Sequence, residues 1–144
     1  MLDVLDVAAH YHLATGTGHL SAHEGMILVK EGLRRGCRMV LTHCDNPANF
    51  YTPEQQAQAA RRGAMIEHSY ITTLWDRTSI ETIAAMIRST GCENVILSSD
   101  FGQPASPYPE EGMLLYAEGL LKQGFTEGEL DQLMRQNPAR LIAE

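Results

Sequence analysis

Short apolar runs recur along the chain at nearly regular intervals, and each is followed by a longer segment of mixed polarity. The runs cover about residues 11–16, 38–43, 64–69 and 94–99. Their first residues are 26 to 30 positions apart. This spacing leaves room for a helix between successive strands and is too long for a hairpin, so the pattern predicts four strand–helix units.

The segments between the runs carry the signals of helix ends. Capping boxes, in which a hydroxyl residue precedes Glu or Gln by three positions, start at Ser21, Thr52, Thr78 and Thr126. The glycines expected to end helices are Gly36, Gly63, Gly91 and Gly124. Ile80, Ile83 and Ile87 recur at helical spacing, which predicts one buried stripe on the helix at 79–90. Two further helices are expected, at about 109–123 and from Asn137 onward.

Four successive strand–helix units predict an α/β fold with a parallel sheet and helices packed on it. The 144 residues suit a single domain over residues 1–144. One possible architecture is a small doubly wound sheet, and the other is half of a (β/α)₈ barrel, since a complete barrel needs roughly 250 residues. A half-barrel would have two open parallel edges. In that case we expect the chain to associate with another copy or to be a piece of something longer.

Composition and charge argue against several classes of function. Eighteen acidic residues against eleven Lys and Arg give a net charge of −7, and the largest basic cluster is Arg61-Arg62, so nucleic-acid binding is not expected. The apolar stretches are too short to cross a membrane, and the N-terminal residues lack a basic secretory signal. The three cysteines form no CxxC pair and are interpreted as reduced thiols. We expect a soluble, cytoplasmic protein.

Residues able to carry chemistry stand where the predicted strands end. His19 follows the first strand, His43 ends the second and Asp100 ends the fourth. In parallel α/β proteins the carboxyl ends of the strands form the ligand-binding edge, so these side chains are expected to converge. Two imidazoles and a carboxylate are a donor set for a divalent metal, most simply zinc, which leaves a position for water. A nearby carboxylate can then take the proton of that water.

Other histidines and glycines have weaker interpretations. His68 could be a ligand, a pocket wall or a solvated partner of the adjacent glutamate. His10 and His12 are interpreted as surface residues near the end of a first helix, and His23 as a solvated residue in the next helix. The pair Gly16-x-Gly18 between a strand and a helix matches a dinucleotide fingerprint only in part, because Ser21 occupies the third position.

Aromatic residues concentrate in the loops that follow the strands, which indicates pocket walls at the rim of the sheet. A small-molecule substrate is expected there. The candidate substrate contacts are His68, Tyr70, Trp75, Phe101 and Gln103.

Five segments of the chain resemble a known family. They are ATGTGHLS, MVLTHCDNP, AMIEHS, ENVILSSDFGQ and NPARLI. Together they resemble the C-terminal half of metal-dependent hydrolases of the amidohydrolase superfamily, and in particular bacterial amidohydrolase-like proteins with a TGH…TH…SSDFGQ pattern. The resemblance extends from about residue 3 to the end.

The resemblance implies a (β/α)₈ barrel of which this chain supplies strands five to eight. His19 is then similar to the strand-five metal ligand and His43 to the strand-six ligand. Asp100 is similar to the strand-eight aspartate, which binds metal and moves the proton of the attacking water. The family's HxH strand, its strands two to four and its strand-four ligand have no counterpart here, and His10 and His12 precede the strand-five position.

Three hypotheses follow from the sequence. The first is a metal-dependent hydrolase, or the C-terminal half of one, in which metal-activated water attacks an amide, ester or lactone carbon. The second is a non-catalytic half-barrel that pairs with itself as a homodimer or with an N-terminal partner. The third is a nucleotide-binding α/β domain, which depends on Gly16 and Gly18 alone.

Overall fold

A computed structural model of the chain describes residues 2–143, and the side chains of Leu2, Trp75 and Asp76 lie outside the described part. The strands are β1 (Ala14–Gly16), β2 (Arg38–Leu41), β3 (Met65–Ser69) and β4 (Val95–Ser98). The helices are α1 (Leu2–His10), α2 (Ala22–Arg34), α3 (Pro53–Arg61), α4 (Ile80–Thr90), α5 (Pro109–Lys122), α6 (Glu127–Asp131) and α7 (Asn137–Ile142). A 3₁₀ segment, Tyr70–Asp76, follows β3, and a π-helical turn, Gln132–Gln136, joins α6 to α7. The predicted α/β class is confirmed.

The four strands form one parallel sheet in the order β1-β2-β3-β4. Each strand therefore pairs with its neighbour in the sequence, as shown by the registers Thr15↔Met39, Val40↔Met65 and Ile66↔Val95. Parallel crossovers are right-handed in nearly all proteins, so crossovers that all advance in one direction place their helices on one face. The sheet is compatible with half of a barrel wall.

The core lies between this face of the sheet and the helices. Along β4, Val95 and Leu97 are buried, whereas Ile96 and Ser98 are only half-buried, which is the alternation of a strand covered on one face. The core cluster contains Met39, Leu41, Ile66, Val95 and Leu97 from the strands and Val29, Ile83 and Ile87 from the helices. The predicted stripe on α4 is thus part of the core.

Three of the four predicted capping boxes are present. The hydroxyls of Ser21, Thr52 and Thr126 each accept from the backbone N–H three residues later, and the Glu or Gln side chain at that position accepts from the cap's own N–H. The prediction for Thr78 is wrong, because the cap of α4 is Ser79. The Thr78 hydroxyl instead donates to the Asp45 carbonyl at 2.8 Å, so a tertiary contact shifts the start of α4 by one residue.

A buried amide side chain links the C-terminal helices to the sheet. Asn137, which is buried, donates from Nδ2 to the carbonyl oxygens of Cys92 at 2.7 Å and Val95 at 2.6 Å. These bonds satisfy the backbone where the chain enters β4. Across residues 2–143, no helix is both long and apolar enough to pass through a bilayer.

Close packing of α2 depends on a glycine. A Cβ at Gly25 would lie 1.9 Å from Tyr51 Oη, and Tyr51 is fully buried with its hydroxyl 3.3 Å from Thr17 Oγ1. Tyr51 therefore occupies the space that a side chain at position 25 would need. This contact joins α2 to the loop between β2 and α3, and the hydroxyl of Tyr51 extends it to Thr17 in the loop between β1 and α2.

We expect Gly25→Ala to lower the free energy of unfolding by about 2 kcal/mol, because overpacking forces Tyr51 out of its place. Urea unfolding followed by circular dichroism measures the change. The control is Gly128→Ala in α6, where a Cβ would meet only Thr126 Oγ1 at 3.9 Å. The control should be neutral or stabilising by up to about 1 kcal/mol. Equal stabilities for the two variants would contradict the packing argument.

Candidate functional site

The structure brings three of the sequence-predicted residues together at the carboxyl edge of the sheet. His19 and His43 follow β1 and β2, and their ring centroids are 5.3 Å apart. Asp100 follows β4, and its Oδ2 lies 3.7 Å from His43 Nε2. His43 is thus the centre of the group, with an imidazole on one side and a carboxylate on the other. We call His19, His43 and Asp100 the rim group.

Two members of the rim group have unusual backbone conformations. His43 has φ of 50° and Asp100 has φ of 53°, and His12 is the third non-glycine residue with positive φ among those the structure describes. The left-handed region disfavours residues with a Cβ, and such strain concentrates at functional sites. Both residues stand at the point where the chain leaves the sheet.

The left-handed turn at His43 is held by β3. The His43 N–H donates to Glu67 Oε2 at 3.2 Å, and the next N–H, of Cys44, donates to the Glu67 carbonyl at 3.0 Å. Glu67 therefore binds two successive backbone groups of the turn. These bonds compensate the strain at His43 by satisfying both donors.

The loop that carries His19 is locked to β2 by two threonines. The Thr42 N–H donates to Thr17 Oγ1 at 3.0 Å, and the Gly18 N–H donates to Thr42 Oγ1 at 3.2 Å. Gly18 has φ of 59°, and a Cβ at Gly16 would lie 2.8 Å from Thr42 Oγ1. These contacts give both glycines of the Gly16-x-Gly18 motif a local role: they allow the close approach that places His19 beside His43.

The imidazole of His43 is fixed through Nδ1. Ser69 Oγ lies 2.7 Å from Nδ1 and 2.9 Å from Ser98 Oγ, and Glu67 Oε2 lies 3.7 Å from the same nitrogen. Side-chain exposure rises from 10% at His43 to 45% at Asp100, and His19 is exposed. The site is therefore closed behind Nδ1 and open towards solvent on the side of Nε2.

His68 is not part of the rim group. It alternates with Glu67 along β3 and therefore shares the helix-covered face with Ile66. His68 is fully buried, and its Nδ1 lies 3.2 Å from Oδ1 of the equally buried Asp45. The other carboxylate oxygen of Asp45 accepts from the Thr72 hydroxyl. His68 Nε2 has no hydrogen-bond partner among the described residues.

Ser69 and Ser98 are the residues that sequence reasoning missed, and Glu67, which ends the third predicted strand together with His68, was not assigned to the site. The signal was present in the alternation of β3, because a core position for Ile66 places Glu67 and Ser69 on the opposite face, where His43 lies. The pairing of Ser69 with Ser98 follows only from the register between β3 and β4. The sequence alone does not specify that register.

The remaining predicted substrate contacts surround the loop after β4. Tyr70 stacks on the buried Tyr116 at 4.9 Å between centroids and contacts Phe101 at 5.9 Å. A Cβ at Gly112 would lie 2.0 Å from Phe101, so α5 seats that ring closely, and Gln103 donates from Nε2 to the Asp100 carbonyl at 3.3 Å. The side chain of Trp75 lies outside the described part.

Burial changes the acidity of the tyrosine behind this loop. Loss of solvent raises the pKa of Tyr116 well above its ordinary value, and the negative charge of Asp45 raises it further. Its hydroxyl lacks a hydrogen-bond partner among the described residues. Tyr116 is therefore a neutral support for Tyr70 rather than a proton donor at the rim.

The other histidines lie elsewhere. His10 ends α1, and His12 occupies the turn before β1, at the opposite end of that strand from His19. His23 is exposed in the first turn of α2. All three positions agree with the interpretation of these residues as surface histidines.

Within residues 2–143, no group of three or more His, Cys, Asp or Glu side chains is arranged as a metal centre. The rim group nevertheless has the chemistry of a donor set. With a proton on Nδ1, His43 Nε2 presents an electron pair towards Asp100 Oδ2, and two such acceptors face each other favourably when a hydrogen-bond donor or a cation lies between them. Imidazole and carboxylate are both ligands of zinc.

Comparison with protein families gives a match to the N-terminal part of the chain. Residues 1–67 match the sequence model of a family of unknown function, DUF6282. The matched part runs from α1 to the middle of β3 and includes His19, His43 and Glu67, whereas Asp100 lies beyond it. No curated protein matches the chain.

The backbone strain at Asp100 yields a prediction about stability. Its side chain is half-exposed and, among the described residues, makes only the long contact with His43, so it contributes little to folding. We expect Asp100→Gly to be more stable than Asp100→Ala by about 1 kcal/mol, because only glycine adopts the left-handed conformation without penalty. Urea unfolding of both variants measures the difference. An alanine variant at least as stable as the glycine variant would contradict the strain at this position.

Proposed function

We propose that the protein is a metal-dependent hydrolase, or the C-terminal half of one, whose site is the rim group. The observation that carries the proposal is the position of His43 Nε2, which faces Asp100 Oδ2 at 3.7 Å and lies beside the ring of His19. Three potential ligands from three different strands meet at the edge where parallel α/β proteins bind ligands. The resemblance to amidohydrolases points to the same three residues.

A divalent cation, zinc in the first instance, would be held by His19, His43 and Asp100. When bound, it would polarise the electrophile and lower the pKa of a coordinated water. The protein's own contribution is positional. Glu67 and Ser69 hold His43, and the hydrogen bonds of Thr17 and Thr42 place His19. The loop after β4 presents Asp100 towards solvent.

In the proposed reaction, water attacks an amide, ester or lactone carbon of a small molecule, and Asp100 is the group that accepts its proton. The carboxylate is suited to this role because it is half-exposed and lies on the open side of His43. Tyr70, Phe101 and Gln103 border the loop of Asp100 and are the candidate substrate contacts. The sheet is interpreted as strands five to eight of a (β/α)₈ barrel.

We expect the purified protein to retain divalent metal, and a His19→Ala/His43→Ala variant to lose it. Metal content by mass spectrometry of dialysed protein is the measurement. Asp100→Asn should keep the fold, weaken metal retention and abolish hydrolysis, because the amide is nearly isosteric but carries no charge. His23→Ala, which alters an exposed histidine of α2, is the control. Equal metal content in the wild type and the double variant would refute the proposal.

A second candidate function is a half-barrel that pairs with a copy of itself. Strands β1 and β4 are the two edges of the sheet, and each has one unpaired side. The helices at the same two ends carry exposed apolar residues: Val4 and Val7 on α1, and Leu114, Leu115 and Leu121 on α5. A second copy related by a two-fold axis along the strands would pair β1 with β4 twice and cover both helices.

Light scattering at micromolar concentration tests the pairing. We expect a mass of twice the 15.9 kDa chain. Val7→Glu, at the β1 end, should produce monomers because it buries a charge in the interface. Ile27→Glu changes an equally exposed residue on α2, away from both edges, and should leave the dimer intact. A wild-type monomer would exclude this candidate.

A further inference from the structure

Two serine hydroxyls form a chain behind the imidazole of His43. Ser69 and Ser98 are register partners on β3 and β4, so their side chains stand at the same level on adjacent strands. Ser69 is fully buried, and its Oγ lies 2.7 Å from His43 Nδ1 and 2.9 Å from Ser98 Oγ. This hydrogen-bonded chain therefore runs from Nδ1 of His43, at the end of β2, through Ser69 on β3 to Ser98 on β4.

The direction of this chain decides which ring nitrogen of His43 carries the proton. If the hydrogens run from His43 towards Ser98, Nδ1–H donates to Ser69, and Ser69 donates to Ser98. If they run the other way, Ser69 donates to an unprotonated Nδ1. The carboxylate of Glu67 lies 3.7 Å from Nδ1, and its negative charge favours a proton on that nitrogen.

The proton on Nδ1 has a consequence on the other side of the ring. Nε2 then has a free electron pair, and it faces the open side of the site, where Asp100 Oδ2 lies at 3.7 Å. In water, a neutral histidine carries its proton mainly on Nε2, so the protein must impose the alternative tautomer. The charge of Glu67 sets the direction, and the Ser69 hydroxyl holds the proton on Nδ1 by accepting a hydrogen bond that is stronger away from water.

We propose that Ser69, supported by Ser98, is a positioning residue that fixes His43 as the Nδ1–H tautomer and so presents Nε2 as an electron-pair donor at the rim. The use of Nε2 for cation binding rests on the proposed function, whereas the tautomer itself does not. Groups that orient a metal-binding histidine through its other nitrogen commonly change metal affinity by 10–100-fold.

The experiment measures the tautomer directly in the metal-free protein. Histidine is labelled with nitrogen-15, and the ring-nitrogen NMR shifts are recorded above the ordinary pKa of histidine. The signals of His43 are identified by their loss in His43→Gln. The variants are Ser69→Ala and Ser98→Ala. The control is Ser99→Ala, which removes a hydroxyl one residue beyond Ser98. That hydroxyl contacts the Phe101 N–H at 3.4 Å and is not part of the serine chain.

We expect protonated Nδ1 in the wild type, a shift of the population towards protonated Nε2 in Ser69→Ala, a smaller shift in Ser98→Ala, and none in Ser99→Ala. A wild type protonated on Nε2, or a Ser69→Ala variant with unchanged shifts, would overturn the proposal. If Ser69→Ala does not fold, Ser98→Ala decides, because its hydroxyl is half-buried and easier to remove. Unchanged shifts in that variant would also overturn it.

Titration with Zn²⁺ alone separates this inference from the proposed function. Where both hold, Ser69→Ala should weaken Zn²⁺ binding roughly tenfold relative to Ser99→Ala. Where the wild type shows the Nδ1–H tautomer and Ser69→Ala shifts it, but the wild type binds no Zn²⁺, the positioning role stands and the proposed function fails. Where Zn²⁺ binds equally to the wild type and Ser69→Ala with unchanged tautomers, the proposed function stands and the positioning role fails.

Discussion

The sheet winds in one direction, and most features of the molecule depend on that constraint. Each strand is parallel to its predecessor and next to it, so every crossover must carry a helix to the same face. One face of the sheet is then covered by the crossover helices α2, α3 and α4, and the opposite face carries Glu67 and Ser69, which contact His43. All four strands also end at one edge. The covered face supplies the core, and the shared edge brings together residues that are up to 81 positions apart in the sequence, His19 and Asp100.

The two faces impose opposite demands on neighbouring residues of β3. Ile66 and His68 face the helices, whereas Glu67 and Ser69 face His43. A histidine on the covered face must find a buried partner, and His68 has one in Asp45. A glutamate on the other face can remain partly solvated and still bind the backbone of the His43 turn. The adjacent pair Glu67-His68 is therefore divided between the core and the site, although the two residues look equivalent in the sequence.

Local signals predicted the elements well, and tertiary contacts explain the departures. Regular spacing and capping residues predicted the four strand–helix units, because a cap is satisfied within its own turn. The cap at Thr78 was misassigned because a carbonyl from another loop binds its hydroxyl. The alternation of β3 is enough to place Glu67 and Ser69 on one face, whereas the pairing of Ser69 with Ser98 requires the register between β3 and β4. The left-handed backbone at His43 and Asp100 also leaves no mark in the sequence, since both residue types are common in other conformations.

The strain at the rim has to be balanced by the structure around it, and this explains why polar residues occupy the strand ends. A left-handed residue with a Cβ costs about 1–2 kcal/mol, so His43 and Asp100 together weaken the fold appreciably. At His43 the backbone hydrogen bonds donated to Glu67 and the hydrogen bond between Thr42 and Thr17 offset the strain. Within the part of the chain that the structure describes, the Asp100 side chain gives no comparable support, and its loop is held instead by Phe101 packed against Gly112. The backbone at His43 is therefore fixed by direct hydrogen bonds, whereas Asp100 is fixed only through the packing of the neighbouring Phe101. A ligand that bridges His43 and Asp100 would thus stabilise mainly the loop after β4.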